Sequence, residues 1–480
     1  MRKTLTVGII LLLFSVNYSI AFSDISYMQG QMSGELTSRS VILQSRLTES
    51  SLDEEGDLKG MHGFARFEVS KSREFSESFM SDWIEAKPES DFIIKKAFYD
   101  LEPGTKYYYR ILYGGNKDNS RAGRICTFET NVGEAVENST NFVVVTGMHY
   151  SRFHRGPKAY YGKDKKLGYP ALESILKLKP DFFVGTGDNV YYDHDPVAKT
   201  ESQLRKKWHE QFVQQRYVEL FCSVPTYWEK DDHDHRYDDS DTTDIKQAEP
   251  SNELGIRMFR EQVPVVDPQK EELPTYRTHR ISKLLQIWFL EGRDYRTANI
   301  MADGPKKTIW GQEQRKWLMK TLMESDAEFK IIISPTPMVG PDDKRKRDNH
   351  TNIGGFRYEG TKFFEWCRHN GFLEKGLYFI CGDRHWQYHS IHPSGFEEFS
   401  TGALVDGNSR MGVNPGDING TDPDALIVQP YTTAEPTGGF LNVIVNPSNG
   451  ESPASIEFRF YDENGKLLYK NMKISKALKL

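Results

Sequence analysis

The chain has 480 residues, a formal net charge of −6 at pH 7, and hydrophobic and charged fractions of 38% and 27%. These fractions are typical of a globular protein, and the length allows roughly two to four domains with cores of their own. The acidic balance argues against nucleic acid as the main partner, because proteins that bind phosphate backbones are normally basic. We therefore predict no nucleic-acid-binding role.

The N-terminus has the layout of a secretory signal peptide. Arg2 and Lys3 precede an apolar run centred on residues 7–14, and the small residues Ser19 and Ala21 form a cleavage site. A permanent membrane anchor is the alternative, but the run is shorter than the roughly 20 apolar residues that a span needs. We predict a signal peptide over residues 1–21, a mature chain without a transmembrane segment, and a secreted or periplasmic protein.

The chain contains four cysteines, at positions 126, 222, 367 and 381. An oxidising compartment allows disulfides. No two cysteines form a CxxC pair, so a zinc ribbon or a thioredoxin-like site has no support. The sequence leaves the pairing open, and two or more of these cysteines could be buried thiols.

Residues 23–131 have the pattern of an all-β region. Short apolar-alternating runs lie between turn residues, in "RSVILQSRL", "GFARFEVS", "FIIKKAFYDL" and "KYYYRILYGG". A Pro-Gly turn at Pro103 and Gly104 precedes the last run, which suits the edge of a β-sandwich. We predict an immunoglobulin-like sandwich that also resembles fibronectin type III domains, followed by a polar linker up to Asn141.

Residues 141–480 change to an α/β pattern. The run "NFVVVTG" lacks alternation, as expected of a strand buried on both faces. "GYPALESILKLKPDFFVGTGD" then predicts a helix and a second buried strand, and the same order recurs in "WGQEQRKWLMKTLMES" and "FKIIISP". "GLYFICGD" predicts a further buried strand, and alternating strands follow Gly438. This order predicts an α/β layered domain, with the last strands closing one of its sheets.

The first polar cluster is "VGTGDNVYYD", which lies at the end of the second buried strand. Open α/β sheets build their sites at such strand ends. A carboxylate at Asp188 can bridge two cations, and Tyr191 lies three residues further on. A phenolate oxygen favours a hard, oxidised metal such as Fe(III). The alternative is a plain strand-end turn with a packed tyrosine.

The second cluster is "KDDHDHRYDDSD". Its acids and histidines are Asp231, Asp232, His233, Asp234, His235, Asp238, Asp239 and Asp241. So many carboxylates in one loop repel one another, and bound cations relieve that repulsion. Mixed Asp and His ligands suit zinc or iron, whereas oxygen-rich sets suit Ca²⁺, Mg²⁺ or Mn²⁺. The alternative is an acidic surface loop.

The third cluster is "CGDRHWQYH", where Asp383 and His385 follow a buried strand. Side chains two residues apart on an extended segment face the same way, so both can reach one metal. We expect His389 and His392 to be surface histidines. Three such clusters in one domain indicate a binuclear hydrolase, in which two cations about 3.5–4 Å apart activate water and bind phosphate.

A charge run, "DDKRKRD", covers Asp342–Asp348. Its simplest interpretation is a solvated loop. The alternative is a segment that attracts an anionic substrate toward the site.

In chain order these clusters resemble the motifs of the PhoD-like alkaline phosphatase family, within the calcineurin-like binuclear metallophosphatases. "GDNVYY" is similar to the family's GDxxY element, "DDHD" to its DDH element and "CGDRH" to its GDxH element. "IWFLEGRDYRT", "EQRKWLMKTLMESDAEFKIIISPTPM" and "EFSTGALVDGN" also resemble family segments, so the resemblance spans most of the mature chain. It implies a metallophosphatase domain of two packed sheets flanked by helices over 141–480, preceded by the sandwich.

The resemblance also implies roles for individual residues. Asp188 would bridge two metals, Tyr191 would bind Fe(III), and His233 would be catalytic, by stabilising the transition state or protonating the leaving group. Arg293 falls where the family has an arginine, without a known role. The implied metal ligands are Asp188, Tyr191, Asp232, Asp383 and His385, with His149 as a further candidate.

Two departures from the family pattern involve residues near the site. The family usually has a cysteine ligand where this chain has Met148, and a thioether is a poor ligand for ferric iron or calcium. We expect Met148 to pack in the core, and His149 to be the candidate that takes over as ligand. After the DDH element, Asp238 stands near a position where the family often has asparagine.

The resemblance implies a secreted, metal-dependent phosphoester hydrolase, in which a metal-bound hydroxide attacks phosphorus in line. Its metal centre would hold Fe(III) with Ca²⁺, or alternatively Zn²⁺ or Mn²⁺, and its substrate would be a phosphoester small molecule or polymer. Three alternatives stay open: a hydrolase of another anionic ester or a cell-wall polymer, a purple-acid-type phosphatase, and a non-catalytic binding protein. The Asn-His-Glu and GHxH elements of purple acid phosphatases are missing, and only Met148 favours the binding protein.

Overall fold

The computed structural model describes residues 24–270 and 272–475. The predicted signal peptide lies outside these residues. Within them, no helix combines the length and the apolar character that a membrane span requires.

The described residues form 22 strands and seven α-helices. The strands are β1 (Gln31–Gly34), β2 (Val41–Arg46), β3 (Gly63–Ser70), β4 (Ser78–Met80), β5 (Ile84–Ala86), β6 (Ile93–Phe98), β7 (Lys106–Gly114), β8 (Arg121–Ala122), β9 (Cys126–Glu129), β10 (Thr140–Val145), β11 (Phe182–Thr186), β12 (Thr226–Glu229), β13 (Arg277–Arg280), β14 (Leu285–Phe289), β15 (Phe329–Ser334), β16 (Leu377–Cys381), β17 (Gln387–Ile391), β18 (Glu397–Thr401), β19 (Val428–Thr432), β20 (Gly439–Asn446), β21 (Ser455–Asp462) and β22 (Leu467–Ile474). The α-helices are α1 (Tyr150–His154), α2 (Pro170–Leu178), α3 (Glu201–Phe212), α4 (Gln215–Phe221), α5 (Asn252–Gln262), α6 (Gly311–Glu324) and α7 (Arg357–His369).

Two large mixed sheets form the centre of the molecule. The first has nine strands in the order β22-β21-β20-β10-β11-β12-β1-β2-β6, and the second has seven in the order β13-β14-β15-β16-β18-β17-β19. Strands β10, β11 and β12 are parallel in the first sheet, as are β14, β15, β16 and β18 in the second. Strands β20 to β22 extend the first sheet, as the alternation after Gly438 predicts.

The two sheets pack face to face, and helices cover their outer faces. Tyr227 stacks on Phe289 at 5.2 Å between ring centroids, and Phe399 stacks on Phe458 at 3.8 Å, so each pair joins the two sheets. Helices α2 to α5 bury apolar residues against the outer face of the first sheet, and α6 and α7 do so against the second. This arrangement agrees with the predicted two packed sheets flanked by helices, because each sheet must bury both of its faces.

The N-terminal strands divide between two sheets. Strands β3, β4, β5, β7, β8 and β9 form a separate six-stranded sheet, whereas β1, β2 and β6 continue the nine-stranded sheet. Strand β1 pairs in parallel with β12 through Gly34 and Thr226. One sheet of the expected sandwich is therefore continuous with the α/β layers. A separate sandwich domain, and the boundaries 23–131 and 141–480, stay predictions.

A disulfide joins the two parts of the chain covalently. Cys126, at the start of β9, is bonded to Cys222, which comes directly after α4, across a sequence separation of 96 residues. Cys367 and Cys381 are buried thiols. The bond holds the edge of the N-terminal region against the helical layer.

Candidate metal centre

Two glycine–aspartate corners deliver carboxylates to the same edge of the packed sheets. Asp188 follows β11 with φ of 54°, and Asp383 follows β16 with φ of 59°, so both occupy the left-handed region that non-glycine residues seldom adopt. A Cβ on Gly187 would lie 2.4 Å from that of Asp231, and one on Gly382 would lie 2.4 Å from the carbonyl oxygen of Thr186. Glycine before each aspartate thus allows the corners to interlock.

Buried polar groups fix the two sheets to each other beneath these corners. Glu229, at the end of β12, accepts hydrogen bonds from the Thr186 hydroxyl at 2.7 Å and from the Leu290 backbone N–H at 2.8 Å. Lys230 forms a buried ion pair with Glu291 at 2.8 Å. These contacts join β11, β12 and the end of β14, and thereby set the spacing of the residues at the ends of these strands.

Tyr191 lies at the centre of the site. Its hydroxyl donates to Asp188 Oδ2 at 2.7 Å, accepts from Asn408 Nδ2 at 2.8 Å and lies 3.2 Å from His385 Nε2. His385 Nε2 is in turn 3.0 Å from Asp188 Oδ2. The structure therefore brings together Asp188 and Tyr191 of the first cluster, His385 of the third, and Asn408, which the sequence pattern did not single out.

Asp232 belongs to two overlapping groups that could each hold a cation. Ligand atoms of Asp188, Asp232 and His233, the first carboxylate group, all lie within 4.8 Å of one another. The same is true of Asp232, Asp239 and Asp348, the second carboxylate group. Two adjacent cation positions that share one aspartate are the arrangement that a binuclear centre requires.

The second carboxylate group corrects the solvated-loop interpretation of the charge run. Asp342 and Asp348 are fully buried, while Lys344, Arg345 and Arg347 between them are exposed. Both carboxylate oxygens of Asp348 lack a hydrogen-bond partner, and its nearest counter-charge is Arg293, at 3.9 Å. The two ends of the run therefore fold inward, where their carboxylates face other charged groups of the site.

The donor set fits hard or borderline cations. Asp188 Oδ1 also lies buried without a hydrogen-bond partner, as do the Asp348 oxygens. Buried anionic oxygens without partners are costly, and a bound cation would satisfy them. Aspartate oxygens with a histidine nitrogen and a tyrosine oxygen nearby suit calcium, zinc, manganese or iron.

Burial and mutual repulsion shift the titration of these acids. Burial, with the charges of neighbouring aspartates, raises the pKa of Asp188 well above its ordinary value. The pKa of Asp239 is raised to about 7 and that of Asp383 to about 6, again mainly by burial and then by the charge of Asp348. Asp232 differs, because the charges of His233 and Arg293 outweigh its burial and hold its pKa well below the ordinary value. Lys346 pairs with Asp239, and the charges of Lys346, Arg384 and Arg293 outweigh burial and lower the pKa of Asp348.

Two buried arginines supply part of the counter-charge. Arg293 donates to Asp231 Oδ1 at 2.7 Å and to the Ser240 carbonyl at 2.8 Å, so it supports the carboxylate cluster without entering either carboxylate group. Arg384 pairs with both Asp383 and Asp342. Asp383 is thus engaged by an arginine, whereas Asp188 is not.

His233 is held by a carboxylate that the sequence analysis overlooked. Its Nδ1 lies 2.7 Å from Asp193 Oδ1, and its own backbone N–H donates to Asp232 Oδ1 at 2.9 Å. Burial opposes protonation, but Asp232, Asp188 and Asp193 together raise the pKa of His233 well above its ordinary value. Asp193 is the last residue of "GDNVYYD", and the turn after Tyr191, which the local pattern does not reveal, sets the direction of its side chain.

Met148 and His149 have different surroundings. Met148 is buried in the core, where its sulfur accepts from the Tyr217 hydroxyl at 2.8 Å, as expected of a packing residue. The His149 ring stacks on Tyr191 at 3.9 Å between centroids. Its Nδ1 accepts from the Arg152 backbone N–H at 3.3 Å, while its Nε2 is buried without a partner. His149 therefore lies beside the site with one nitrogen available, and its role as ligand stays a prediction.

Other members of the predicted clusters are structural. Asp234 accepts from the backbone N–H groups of Asp231 at 2.7 Å and Asn189 at 3.1 Å, and His235 is buried against Ser240 and Asn252. The acidic-surface-loop alternative is wrong for residues 231–235, all of which are buried. Asp238 is exposed and pairs with Lys246 and Lys346. His389 is not a surface histidine, because it is buried between Tyr469 and Glu397.

Comparisons with known proteins agree with this geometry. The family model described as PhoD-like phosphatase matches residues 142–430, and the model of the PhoD-like phosphatase N-terminal domain matches residues 16–129. Alkaline phosphatase D of Bacillus subtilis (strain 168) is 24% identical over 341 residues. That alignment covers 66% of this chain and 57% of the relative, so the chain matches a little over half the length of that protein.

Solved structures extend the likeness to the whole fold. A structure of PhoD superposes with a TM-score of 0.71 at 17% identity, covering 95% of this chain and 92% of the other. A purple acid phosphatase from yellow lupin (Lupinus luteus) seeds superposes with a TM-score of 0.60 at 10% identity, covering 94% of this chain and 74% of the other. The protein therefore has a metallophosphatase fold, and the chain belongs to the PhoD-like phosphatase family.

Proposed function

We propose that the protein is an exported, metal-dependent phosphoester hydrolase with a binuclear centre. The observation that carries the proposal is the pair of carboxylate groups that share Asp232. We assign Asp188, Asp232, Asp383, Tyr191, His385 and His149 as metal ligands and add Asp239 and Asp348, while His233 of the first carboxylate group is assigned to proton transfer and not to metal binding. Buried oxygens of Asp188 and Asp348 without a hydrogen-bond partner support this assignment, because a bound cation would satisfy them.

Cations bound at these groups would neutralise phosphate oxygens and lower the pKa of water enough to make it a nucleophile at neutral pH. His233 supplies the proton in this proposal. Asp193 accepts the Nδ1 proton of His233, so Nε2 is the nitrogen that donates to the leaving oxygen. The raised pKa of His233 keeps that proton in place before the reaction. Asp193 is a positioning residue, because it acts through the imidazole.

Fe(III) with Ca²⁺ is the metal pair we propose, with Zn²⁺ or Mn²⁺ as the alternative. Tyr191 supports iron, since a phenolate oxygen is a hard donor. In the metal-free site, burial and the charge of Asp188 raise the pKa of Tyr191 well above its ordinary value, so only a strongly polarising cation would displace its proton. Export is supported by the predicted signal peptide and by the Cys126–Cys222 disulfide, since disulfides persist in oxidising compartments.

The test combines metal analysis, a visible spectrum and hydrolysis of p-nitrophenyl phosphate by the purified mature protein. We expect two or more metals per chain, a visible phenolate-to-iron band that Tyr191→Phe removes, and activity that Asp232→Asn abolishes. Asp326→Asn is the matched control, because Asp326 is 89% exposed and pairs only with Arg280 among the described residues. A protein without tightly bound metal, and without activity after metal reconstitution, would contradict the proposal.

A further inference from the structure

A cavity of about 220 Å³ opens beside the second carboxylate group. Asp239 and Asp348, two of the three members of that group, form part of its wall. Asp348 is fully buried, whereas Ile245 and Ile300 on the same cavity are 65% and 64% exposed. The cavity therefore runs from the proposed cation position to the surface.

Hydrogen bonds hold the polar wall of this cavity in place. Asn299 donates from Nδ2 to the Asp239 carbonyl at 2.7 Å and from its backbone N–H to Asp241 Oδ2 at 2.8 Å. The Thr243 backbone N–H donates to Asp241 Oδ1 at 2.8 Å. Both oxygens of Asp241 are thus engaged, and the other acids of the wall belong to the second carboxylate group. Hydrogen bonds within the wall therefore hold Asp241 in place, whereas the buried oxygens of Asp348 have no hydrogen-bond partner.

The mouth of the cavity carries three cationic side chains that differ in their partners. Lys246 lies 3.6 Å from Asp238, and Arg345 lies 3.2 Å from Asp343, so each has a carboxylate beside it. Arg347 also lines the cavity and is exposed, yet no carboxylate of residues 24–270 and 272–475 lies within ion-pair distance of it. Arg347 precedes Asp348 directly in the chain, so both residues contribute to the same wall of the cavity.

We propose that this cavity receives the leaving group of the phosphoester, and that Arg347 binds a second anionic group carried by that leaving group. The inference rests on the proposed hydrolase function and deepens it. The substrate class is a phosphoester of a small alcohol that bears a further phosphate or carboxylate. A volume of about 220 Å³ is below the roughly 300 Å³ at which pockets begin to hold drug-sized ligands, so the enclosed part of the leaving group is small.

Arg347, Ile245 and Ile300 are the wall residues whose chemistry suits such a leaving group. Guanidinium groups bind phosphate and carboxylate through two parallel N–H donors, which gives orientation as well as attraction. Ile245 and Ile300 offer apolar surface for the carbon skeleton between the two anionic ends. A neutral alcohol would fill the same space but would leave Arg347 without a partner.

The test uses two substrates with one cleavable phosphate each, glycerol 3-phosphate and 3-phosphoglycerate. Their leaving groups differ by a carboxylate at the far end. Phosphate release by the metal-loaded full chain is measured at low ionic strength to obtain kcat and KM. We expect kcat/KM to favour 3-phosphoglycerate by about tenfold, mainly through KM, in line with a single charge-assisted contact. Arg347→Gln should bring the ratio close to one, and Arg347→Lys should keep part of it.

Lys344→Gln is the matched control. It removes the same charge from the same loop, and Lys344 is exposed and does not line the cavity. Its ratio of kcat/KM for 3-phosphoglycerate to kcat/KM for glycerol 3-phosphate should equal that of the unaltered protein. If Lys344→Gln and Arg347→Gln reduced the preference for 3-phosphoglycerate equally, the preference would come from the overall positive charge of the loop, and the inference would be overturned. A lack of preference in the unaltered protein would overturn it as well. Failure of the metal-loaded protein to hydrolyse any phosphoester would instead overturn the proposed function and the inference together.

Discussion

The two glycine–aspartate corners share a backbone geometry and differ in charge. Asp188 and Asp383 both follow a buried parallel strand, with φ of 54° and 59°. Asp188 has three other aspartates near it and one oxygen without a partner, whereas Asp383 is paired with Arg384. The pKa of Asp188 is accordingly raised well above the ordinary range, and that of Asp383 to about 6, chiefly by burial in both cases.

The residue after each aspartate accounts for much of the difference. Asn189 turns its amide to Glu229 and Asp234 and leaves Asp188 to other partners, while Arg384 folds back on Asp383 and reaches Asp342 as well. A repeated turn can therefore provide two carboxylates of different character. Asp188 has no lysine or arginine paired with it among the described residues and is available to a metal ion, whereas Asp383 is already paired with Arg384.

The largest expected effect is that of Asp188→Asn on activity. Asp188 touches Tyr191 and His385 and belongs to the first carboxylate group, so its loss affects several proposed ligands at once. We expect kcat/KM to fall by more than about a hundredfold, beyond the 10–100-fold typical of groups that only support a ligand. Metal content should drop in parallel. A variant that keeps its metals and loses less than tenfold would remove Asp188 from the centre.

In the metal-free protein, substitutions at the two corners should change the free energy of unfolding in opposite directions. Asp383→Asn deprives buried Arg384 of one of two partners, and we expect it to lower the free energy of unfolding by about 2 kcal/mol, less than the 3–5 kcal/mol of a fully broken buried pair. Asp188→Asn removes a buried carboxylate whose Oδ1 has no partner, and it should raise that free energy slightly. Urea denaturation after chelation measures both. Equal losses in the two variants would contradict the distinction.

A smaller effect concerns pH. The pKa values of about 7 for Asp239 and about 6 for Asp383 mean that protons compete with cations at these oxygens. We expect metal affinity at the second carboxylate group to weaken by up to about tenfold per pH unit as pH falls from 7 to 6, measured by metal titration in buffered solution. A metal affinity that does not change between pH 8 and pH 6 would place Asp239 outside the centre.

The free energy of unfolding of the metal-free protein should change in the opposite direction, because it should increase as pH falls. These two carboxyl groups bind protons more tightly in the folded state than in the unfolded chain, where the pKa is about 4. Their contribution therefore raises the free energy of unfolding as pH falls from 7 toward 4.

The parts of the fold and site that depend on local pattern could be predicted from the sequence. Buried runs without alternation predict β10, β11, β15 and β16, and parallel strands bring the residues at their carboxyl ends to one edge. The approach of Asp188 and Asp232 to each other could therefore be expected from the sequence. The family resemblance added roles that periodicity alone does not contain.

Only the tertiary structure decided the partners that come from distant segments. Asp348 lies in a charge run that has the pattern of a solvated loop, and Asn408 lies in a short 3₁₀ turn whose sequence does not indicate a contact with Tyr191. The pairing of Cys126 with Cys222, and the entry of β1, β2 and β6 into the nine-stranded sheet, depend on contacts between segments far apart in the chain. Local sequence determines how each strand ends and which groups it carries. The packing of the two sheets determines which of those groups meet, because burial and charge act between segments that no short-range pattern connects.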